Sequence, residues 1–296
     1  MKYLDHFFKK LICIIIACTA CSSYALDLPE IKSKGELRHL GIRYANFVTG
    51  AGDGLDVEIM KGFAREIGVN YQLVYSDFST IVRDLLGKNV SLSAGTVELT
   101  GNYPILGDVI AAGFTVLPWR EQILLFSEPT FPSQVVLIAR AHSAVQPISG
   151  SKNIEADIKQ TKALIGSNSL LVMEKTCLDP GNYGLRDQGY DIRPYVKSTN
   201  INEMVPALLN EDADLSLLDV PDLMIDINKW AGKFKVLGPI SDDQVLATAF
   251  PKDAPLLREA FNLYLQKIKS NGTYGQLIDK YYPGIRKYFP KFFEAY

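Results

Sequence analysis

The sequence predicts an α/β protein built from two similar lobes. Short apolar segments typical of strands alternate with amphipathic helical segments along most of the chain. Such alternation favours βαβ units and mostly parallel sheets. The order of strand, polar turn, helix and Asp-led strand occurs in residues 71–112 and again in residues 195–219. The length of 296 residues is also enough for about two domains.

The first lobe is predicted to alternate three strands with two helices. Asp56 can cap the first helix through its carboxylate. Gly68 ends that helix, because glycine readily adopts the left-handed conformation found there. The predicted elements are the strand Leu37–Ile42, a helix over residues 56–67, the strand Tyr71–Tyr75, the helix Thr80–Leu86 and the strand Asp108–Ala112.

The second lobe repeats this order and leaves it near Gly238. Pro221 suits the first turn of a helix, whose apolar face would hold Leu223, Met224 and Ile227. A final segment that returns to the first lobe explains the change of pattern. The predicted elements are the strands Ala163–Ser167, Asp191–Val196 and Asp214–Leu218, a helix from Asn200 to Leu209, the strand Gln244–Phe250 and a long helix that begins near Pro255.

The lobe boundaries follow from where the pattern is interrupted. A polar stretch over residues 141–152 separates the two repeats. We assign residues 27–138 with 245–296 to lobe 1 and residues 139–244 to lobe 2. Within lobe 1, Lys88–Gly107 is longer than usual for a connection. Its partial alternation is compatible with a hairpin that turns at Gly101-Asn102.

Residues 1–25 are predicted to be a secretory signal peptide. Three lysines precede the apolar run Leu11–Ala20, and small residues allow cleavage after Ala25. The run is too short to span a bilayer. Cys18-Thr19-Ala20-Cys21 partly matches a lipobox with Cys21 as the acylated residue, although Cys18 replaces the usual Leu, Val or Ile. Either cut predicts a periplasmic or secreted protein, free or anchored as a lipoprotein through Cys21.

Charge and motifs argue against several function classes. A net charge of −2 gives no positive field for nucleic acid or an anionic membrane. Gly50-Ala-Gly52-Asp-Gly54 lacks the Lys-Ser/Thr of a P-loop and misplaces the third glycine of a dinucleotide fingerprint. Cys177 is the only cysteine after residue 25, and the three histidines are scattered. We therefore expect no disulfide, no metal and no cofactor.

Several motifs of the chain occur together in one known family. They are Gly54–Gly68, Gly113–Arg120 with Phe126–Pro129, Asp214–Asp219, and Asn271–Tyr274 with Lys280–Tyr282. In these motifs the chain resembles the extracellular solute-binding proteins of family 3, the periplasmic amino-acid receptors of ABC importers. The resemblance covers nearly all of residues 37–283. Residues 177–180, 203–207 and 218–221 look like a distinct branch of the family, which indicates no particular ligand.

The resemblance implies a type II periplasmic binding fold, in which two α/β lobes are joined by two crossover strands and the ligand lies in the cleft between them. Arg120 would hold a carboxylate, because its planar guanidinium can donate two parallel hydrogen bonds. Asp219 would accept from an α-ammonium group at the carboxyl end of a strand. The remaining implied contacts are donors from Thr115 and the Gly113 N–H, stacking by Tyr44 and Phe47, and closure from lobe 2 by Ser167, Asn168 and Ser169.

Each of these residues also has a purely structural interpretation. Arg120 could pair with Glu121 at the surface, and Asp219 could simply cap a helix. Tyr44 and Phe47 could be core residues, and residues 167–169 could cap a helix. The chain has Tyr44-Ala-Asn46-Phe47 where the family usually has Tyr-x-Pro-Phe. Arg43 replaces an acidic or neutral residue, and we hypothesise that it favours an acidic ligand.

The predicted function is capture of an amino acid or related carboxylate by hinge closure, followed by delivery to an ABC permease of the inner membrane. We expect a monomer that binds no nucleic acid and is not an enzyme. One alternative is a ligand sensor without a transporter. Another is a cyclohexadienyl dehydratase-like enzyme on the same fold, with Glu203 as the local candidate carboxylate. The aromatic tail, Tyr281–Tyr296, either packs on lobe 1 or forms a docking surface.

Overall fold

The computed structural model describes residues 26–93 and 96–294. The expected signal peptide, the lipobox with Cys21, and Tyr296 lie outside these residues. The helices are α1 (Leu28–Lys34), α2 (Leu55–Ile67), α3 (Ile81–Leu86), α4 (Pro118–Glu121), α5 (Ile154–Ala163), α6 (Met204–Leu209), α7 (Val220–Lys229), α8 (Pro255–Ser270), α9 (Thr273–Tyr281), α10 (Ile285–Tyr288) and α11 (Pro290–Phe293), with short 3₁₀ helices at Pro180–Tyr183 and Ile201–Glu203. The strands are β1 (Glu36–Ile42), β2 (Asn70–Ser76), β3 (Asn89–Ser93), β4 (Thr96–Thr100), β5 (Val109–Ile110), β6 (Leu124–Phe126), β7 (Phe131–Ser133), β8 (Val135–Arg140), β9 (Ser169–Val172), β10 (Asp191–Pro194), β11 (Leu215–Asp219), β12 (Phe234–Pro239), β13 (Gln244–Leu246) and β14 (Ala249–Pro251).

Lobe 1 is built on a five-stranded sheet in the order β2-β1-β5-β14-β6. β1 pairs in parallel with β2 and β5, whereas β14 pairs antiparallel with β5 and β6. On one side of the sheet, Phe63 of α2 meets Phe261 of α8 edge to face, with ring centroids 5.2 Å apart. Because β1 and β5 are parallel, their carboxyl ends lie at the same edge of the sheet, where open α/β sheets bind ligands.

Lobe 2 is built on a second five-stranded sheet in the order β10-β9-β11-β8-β12. β9 pairs in parallel with β10 and β11, whereas β8 pairs antiparallel with β11 and β12. Leu215 at the start of β11 lies opposite Leu170 near the start of β9. Asp219 ends β11, so it shares its sheet edge with the residues that follow Val172.

Two antiparallel strands connect the lobes. β7 pairs with β13, with Phe131 opposite Leu246 and Ser133 opposite Gln244. The predicted two-lobed α/β fold with two crossover strands is confirmed, and β14 returns to the sheet of lobe 1. Each sheet is half antiparallel, because β14 and β8 run against their neighbours. The expected lobe boundaries at 138/139 and 244/245 fall inside β8 and β13, and all of β8 is paired in the second sheet.

The strand expected at Ala163–Ser167 is wrong. α5 continues to Ala163, a turn follows, and the strand of this region is β9. A short apolar run such as Ala163-Leu164-Ile165 fits the end of a helix as well as a strand by pattern alone. The hairpin expected within Lys88–Gly107 is found as β3 and β4, with Asn89 opposite Thr100. Gly101-Asn102 follows that hairpin instead of forming its turn.

The aromatic tail packs on lobe 1 at its start, through Tyr281 and Tyr282, whereas Tyr288 is 68% exposed. Tyr282 is 1% exposed, and its hydroxyl accepts a hydrogen bond from the backbone N–H of Asn46 at 3.0 Å. The Asn46 side-chain amide donates to the Tyr281 carbonyl at 2.7 Å, and the Tyr281 hydroxyl accepts from the Gly54 N–H at 3.2 Å. The tail thus holds the loop between β1 and α2 in place. No helix among the described residues is long and apolar enough to cross a bilayer.

Candidate ligand-binding cleft

The two lobes meet at Tyr44, which follows β1, and Asp219, which ends β11. The buried Tyr44 hydroxyl donates a hydrogen bond to Asp219 Oδ2. The Cys177 thiol donates to the same oxygen at 3.3 Å. A second contact joins the lobes nearby, where the Ala45 N–H donates to Asn202 Oδ1 at 3.0 Å. The carboxyl ends of strands from both sheets therefore face each other across one cleft.

Asp219 has a structural role as well as a place in the cleft. Its Oδ1 accepts from the Asp222 N–H at 3.3 Å, which caps α7. The residue is 1% exposed, and burial raises the pKa of its carboxyl above the ordinary value. Hydrogen bonds from Tyr44 and Cys177 act in the opposite direction, because they stabilise the ionised form. The expected helix cap is found, and the same carboxylate lies between the lobes.

Arg120 lies in α4 and is 2% exposed. Its Nη1 donates to the Thr115 carbonyl at 2.7 Å, and its guanidinium carbon lies 3.8 Å from the centroid of the Phe114 ring. Its buried Nε has no hydrogen-bond partner, and no ion pair among the described residues includes it. The surface ion pair with Glu121 is therefore not what the structure has.

Two polar side chains of lobe 2 also act on Arg120. Burial lowers the pKa of its guanidinium to about 10, while the nearby Cys177 and Tyr183 act to raise it. A buried cation without a counter-charge is costly, since desolvation is not repaid by a partner. The arrangement can bind an anionic group that reaches the cleft.

The two aromatic residues of the β1–α2 loop are fully buried. Phe47 packs edge to face on Phe131 and against Tyr282, with centroid distances of 5.2 and 5.1 Å. Tyr44 stacks on Phe47 at 5.6 Å and meets Phe78 edge to face at 5.5 Å. Phe47 is thus part of the lobe 1 core, whereas Tyr44 also points its hydroxyl into the cleft.

Backbone groups of Gly113 and Thr115 form hydrogen bonds within lobe 1, and the Thr115 carbonyl is the acceptor for Arg120. The Gly113 N–H donates to Asp56 Oδ2 at 2.7 Å, so the expected role of Gly113 as a free donor is not what the structure has. Gly113 has φ of 59° and lies directly under the rings of Phe47 and Tyr44, where a side chain would collide. Asp56 does not cap α2, and burial raises the pKa of its carboxyl to about 7.

The structure places Ser167, Asn168 and Ser169 at the opposite edge of the second sheet. Ser167 is exposed, and the Asn168 side chain donates to the Leu164 and Ile165 carbonyls. Ser169 opens β9, and its hydroxyl donates to Asp214 Oδ2 at 2.7 Å. Their expected closing role is therefore corrected, because these residues precede β9 whereas the cleft lies at its end.

Arg43 is exposed and contacts Tyr75. Neighbouring residues in extended chain point in opposite directions; Tyr44 is buried and Arg43 is exposed, with its guanidinium 4.9 Å from the centroid of the Tyr75 ring. This placement gives no support to the hypothesis that Arg43 adds a positive group beside the ligand.

Sequence reasoning missed four residues that the structure brings to the cleft. Cys177 and Tyr183 follow β9, and the Tyr183 hydroxyl donates to the Cys177 carbonyl. Asp222 and Gln244 each hold a buried side-chain oxygen without a hydrogen-bond partner. A correct prediction of β9 would have indicated Cys177, because Cys177 lies in the segment that follows the carboxyl end of β9.

Comparison with known proteins gives relatives of several kinds. The arginine-binding extracellular protein ArtP of Bacillus subtilis is 22% identical over 277 residues, which cover 92% of this chain and 95% of ArtP. Membrane-bound lytic murein transglycosylase F of Desulfosudis oleivorans is 23% identical over 235 residues, or 78% of this chain. This chain spans only 44% of the length of that transglycosylase.

Solved structures share the fold. A mutant of ArgBP from T. maritima superposes with a TM-score of 0.67 at 23% identity, over 86% of this chain and 99% of that one. The ancestral amino acid-binding protein AncCDT-1, a precursor of cyclohexadienyl dehydratase, gives a TM-score of 0.65 at 21% identity, over 86% of this chain and 98% of that one. The family description of bacterial extracellular solute-binding proteins, family 3, matches residues 106–284. The chain belongs to this family.

Proposed function

We propose that this protein captures an amino acid or a related small carboxylate in the cleft between its lobes. Arg120 would bind the carboxylate and Asp219 would accept hydrogen bonds from the ammonium group. The observation that carries the proposal is Arg120 itself, a buried guanidinium without a carboxylate partner that faces lobe 2. Opposite charges at the two sides of one cleft suit the two ends of a zwitterion.

Binding would proceed by opening and closing of the lobes about β7 and β13. In the closed arrangement Tyr44 and Cys177 already satisfy Asp219, so an ammonium group would have to replace at least one of them. The ligand would then bridge the lobes and stabilise the closed state. Tyr44 would serve as a lobe-to-lobe contact in the absence of ligand.

The names of the relatives support an amino acid as the ligand class, since ArtP is an arginine-binding protein and AncCDT-1 an amino acid-binding protein. We further propose that the protein acts in the periplasm or outside the cell. It would be cut after Ala25 or anchored through Cys21, and it would deliver its ligand as a monomer to an ABC permease.

A binding role is proposed in preference to a catalytic one. Glu203, the carboxylate expected for acid/base chemistry, accepts a hydrogen bond from the Tyr195 hydroxyl at 2.5 Å within lobe 2. The side chains next to Asp219 and Arg120 are Tyr44, Cys177 and Tyr183, not Glu203. The transglycosylase relatives do not support a catalytic role for this chain, because this chain spans less than half their length.

A thermal-shift panel on unfolded and refolded protein tests the proposal. The panel contains the common amino acids, dicarboxylates and small amines, and a ligand that binds only the native state raises the Tm by mass action. A clear rise with α-amino acids supports the proposal. Their failure to shift the Tm at millimolar concentration would remove it and favour the sensor or enzyme alternatives.

A further inference from the structure

α7 buries its acidic face. Asp219, Asp222 and Asp226 are 1%, 3% and 5% exposed. Its apolar side chains, such as Leu223, line an open groove of about 790 Å³ between the helix and residues 283–292. The sequence pattern predicts the reverse, since apolar faces are normally buried. Burying carboxylates costs free energy unless a cation or hydrogen-bond donors compensate.

Asp222 is the least compensated member of this face. Its buried Oδ2 has no hydrogen-bond partner. Its charge acts on Tyr44 and Tyr282 of lobe 1 and on Cys177 of lobe 2, and raises the pKa of each. Asp222 therefore lies at the interface of the lobes, beside Asp219, and within electrostatic reach of the same thiol that lies near Arg120.

The cleft buries more acidic than basic side chains. Buried within it are one guanidinium, that of Arg120, and two carboxyl groups, those of Asp219 and Asp222. Lys229 acts on Asp222 from a position exposed to solvent, and no ion pair among the described residues includes either carboxylate. The complement of such a site is a molecule with one anionic and two cationic groups.

We propose, building on the function proposed above, that Asp222 is a specificity-determining residue that binds the cationic side chain of a basic α-amino acid. Arg120 holds the carboxylate of the ligand, Asp219 the α-ammonium group, and Asp222 the side-chain ammonium or guanidinium. A neutral side chain leaves the Asp222 carboxyl without a partner. A site built to bond a polar group rejects ligands that lack it more strongly than a merely shaped pocket does.

Proton release gives the proposal a second readout. Burial and the neighbouring Asp219 raise the pKa of the Asp222 carboxyl, which favours a proton on this group when no cation is bound. A bound cation favours the ionised form and expels that proton. The titratable or charged groups that face Asp222 are Tyr44, Cys177, Tyr282, Asp219, Asp226 and Lys229.

Calorimetric titration with matched ligands tests the proposal. Arginine and citrulline have nearly the same shape but differ in side-chain charge, as lysine and norleucine differ in one ammonium group. Wild type should prefer the charged member of each pair by about tenfold or more, the loss expected when a charge-assisted hydrogen bond is missing. Heats measured in buffers of different ionisation enthalpy should reveal proton release with arginine and none with citrulline.

The variants separate a specific role from a structural one. Asp222→Asn should bring the preference within about threefold and abolish proton release, because a neutral amide no longer forms a charged pair. Asp226→Asn, on the same helix face, is the matched control and should keep both. If Asp222→Asn does not fold, the proposal is tested by the affinities of wild type for the two ligand pairs and by the proton release of wild type.

Three results would overturn the inference. Citrulline could bind wild type as tightly as arginine, or Asp222→Asn could keep the full preference. Alternatively, wild type could bind only neutral or acidic amino acids, in which case the proposed function would stand without this specificity. Failure of every α-amino acid to bind would remove the proposed function and the inference together.

Discussion

Tyr44 and Asp219 hold the two lobes together through the carboxylate oxygen that an ammonium group would need. Tyr44 belongs to the loop after β1 and Asp219 to the end of β11, 175 residues later in the chain. The contact therefore both stabilises the closed arrangement and competes with the proposed ligand. Its removal separates these two effects.

Tyr44→Phe should raise the affinity for the amino acid that gives the largest thermal shift. The variant keeps the ring packed on Phe47 and Phe78 but removes the competing hydroxyl. The expected gain is about 1 kcal/mol, the usual net contribution of one hydrogen bond. Calorimetric titration measures it; weaker binding would indicate that the hydroxyl contacts the ligand directly.

The same variant should make Cys177 more accessible in the ligand-free protein. The thiol is 3% exposed, and burial raises its pKa well above the ordinary value, so alkylation of the folded protein should be slow. Loss of the Tyr44 contact favours the open arrangement and should speed alkylation by iodoacetamide, followed by mass spectrometry. Unchanged rates with and without ligand would contradict an opening of the lobes at this contact.

Arg120→Met should remove most of the ligand affinity, at least about 2 kcal/mol, because the carboxylate loses a desolvated charged partner. The Tm of the ligand-free protein should not fall, since methionine fills the site without a buried unpaired cation. Arg43→Met is the matched control, because Arg43 is an exposed arginine that contacts Tyr75. Equal affinities of the Arg120 variant and wild type would place the anion site elsewhere.

Ser169→Ala should lower stability and leave affinity unchanged. The Ser169 hydroxyl donates to Asp214 Oδ2 at 2.7 Å and accepts from the Asp214 N–H at 2.9 Å. Losing both bonds should cost about 1 to 2 kcal/mol of unfolding free energy. The exposed Ser167→Ala should change neither quantity. A loss of affinity in Ser169→Ala without a loss of stability would restore the closing role predicted from the sequence.

His39 should make the protein less stable in acid. Burial lowers the pKa of its imidazole to about 4 from an ordinary value of 6.5. The native state therefore binds fewer protons than the unfolded state between these values, and stability falls as the pH drops through this window. Its contribution is complete above pH 6.5.

The expected loss between pH 7 and pH 4.5 is about 2 to 3 kcal/mol from this one group. Urea unfolding of wild type and His39→Gln at both pH values measures it, and the variant should lose that much less than wild type. The exposed His142→Gln should behave as wild type. Parallel pH profiles for all three proteins would contradict a buried neutral His39.

Hydrophobic periodicity predicted the fold well, because strands and helices bury regular patterns of side chains. It failed where a short apolar run was ambiguous: Ala163–Ser167 contains the end of a helix, and the error moved the expected contacts of lobe 2 to the wrong edge of the sheet. Asp219 was placed at a strand end from local sequence alone. Asp222 and Cys177 depend on how the two lobes face each other, which no local pattern encodes.

The bonds from Tyr281 and Tyr282 to Asn46 have a consequence for how the protein is made. They join residues 235 and 236 positions apart, and they fix the loop that presents Tyr44. A growing chain contains Tyr44, Arg120 and Asp219 long before it contains these two tyrosines. The cleft therefore gains its final shape only when synthesis has passed residue 282. A chain that ends before Tyr281 would contain every proposed ligand contact and would still fail to bind the ligand.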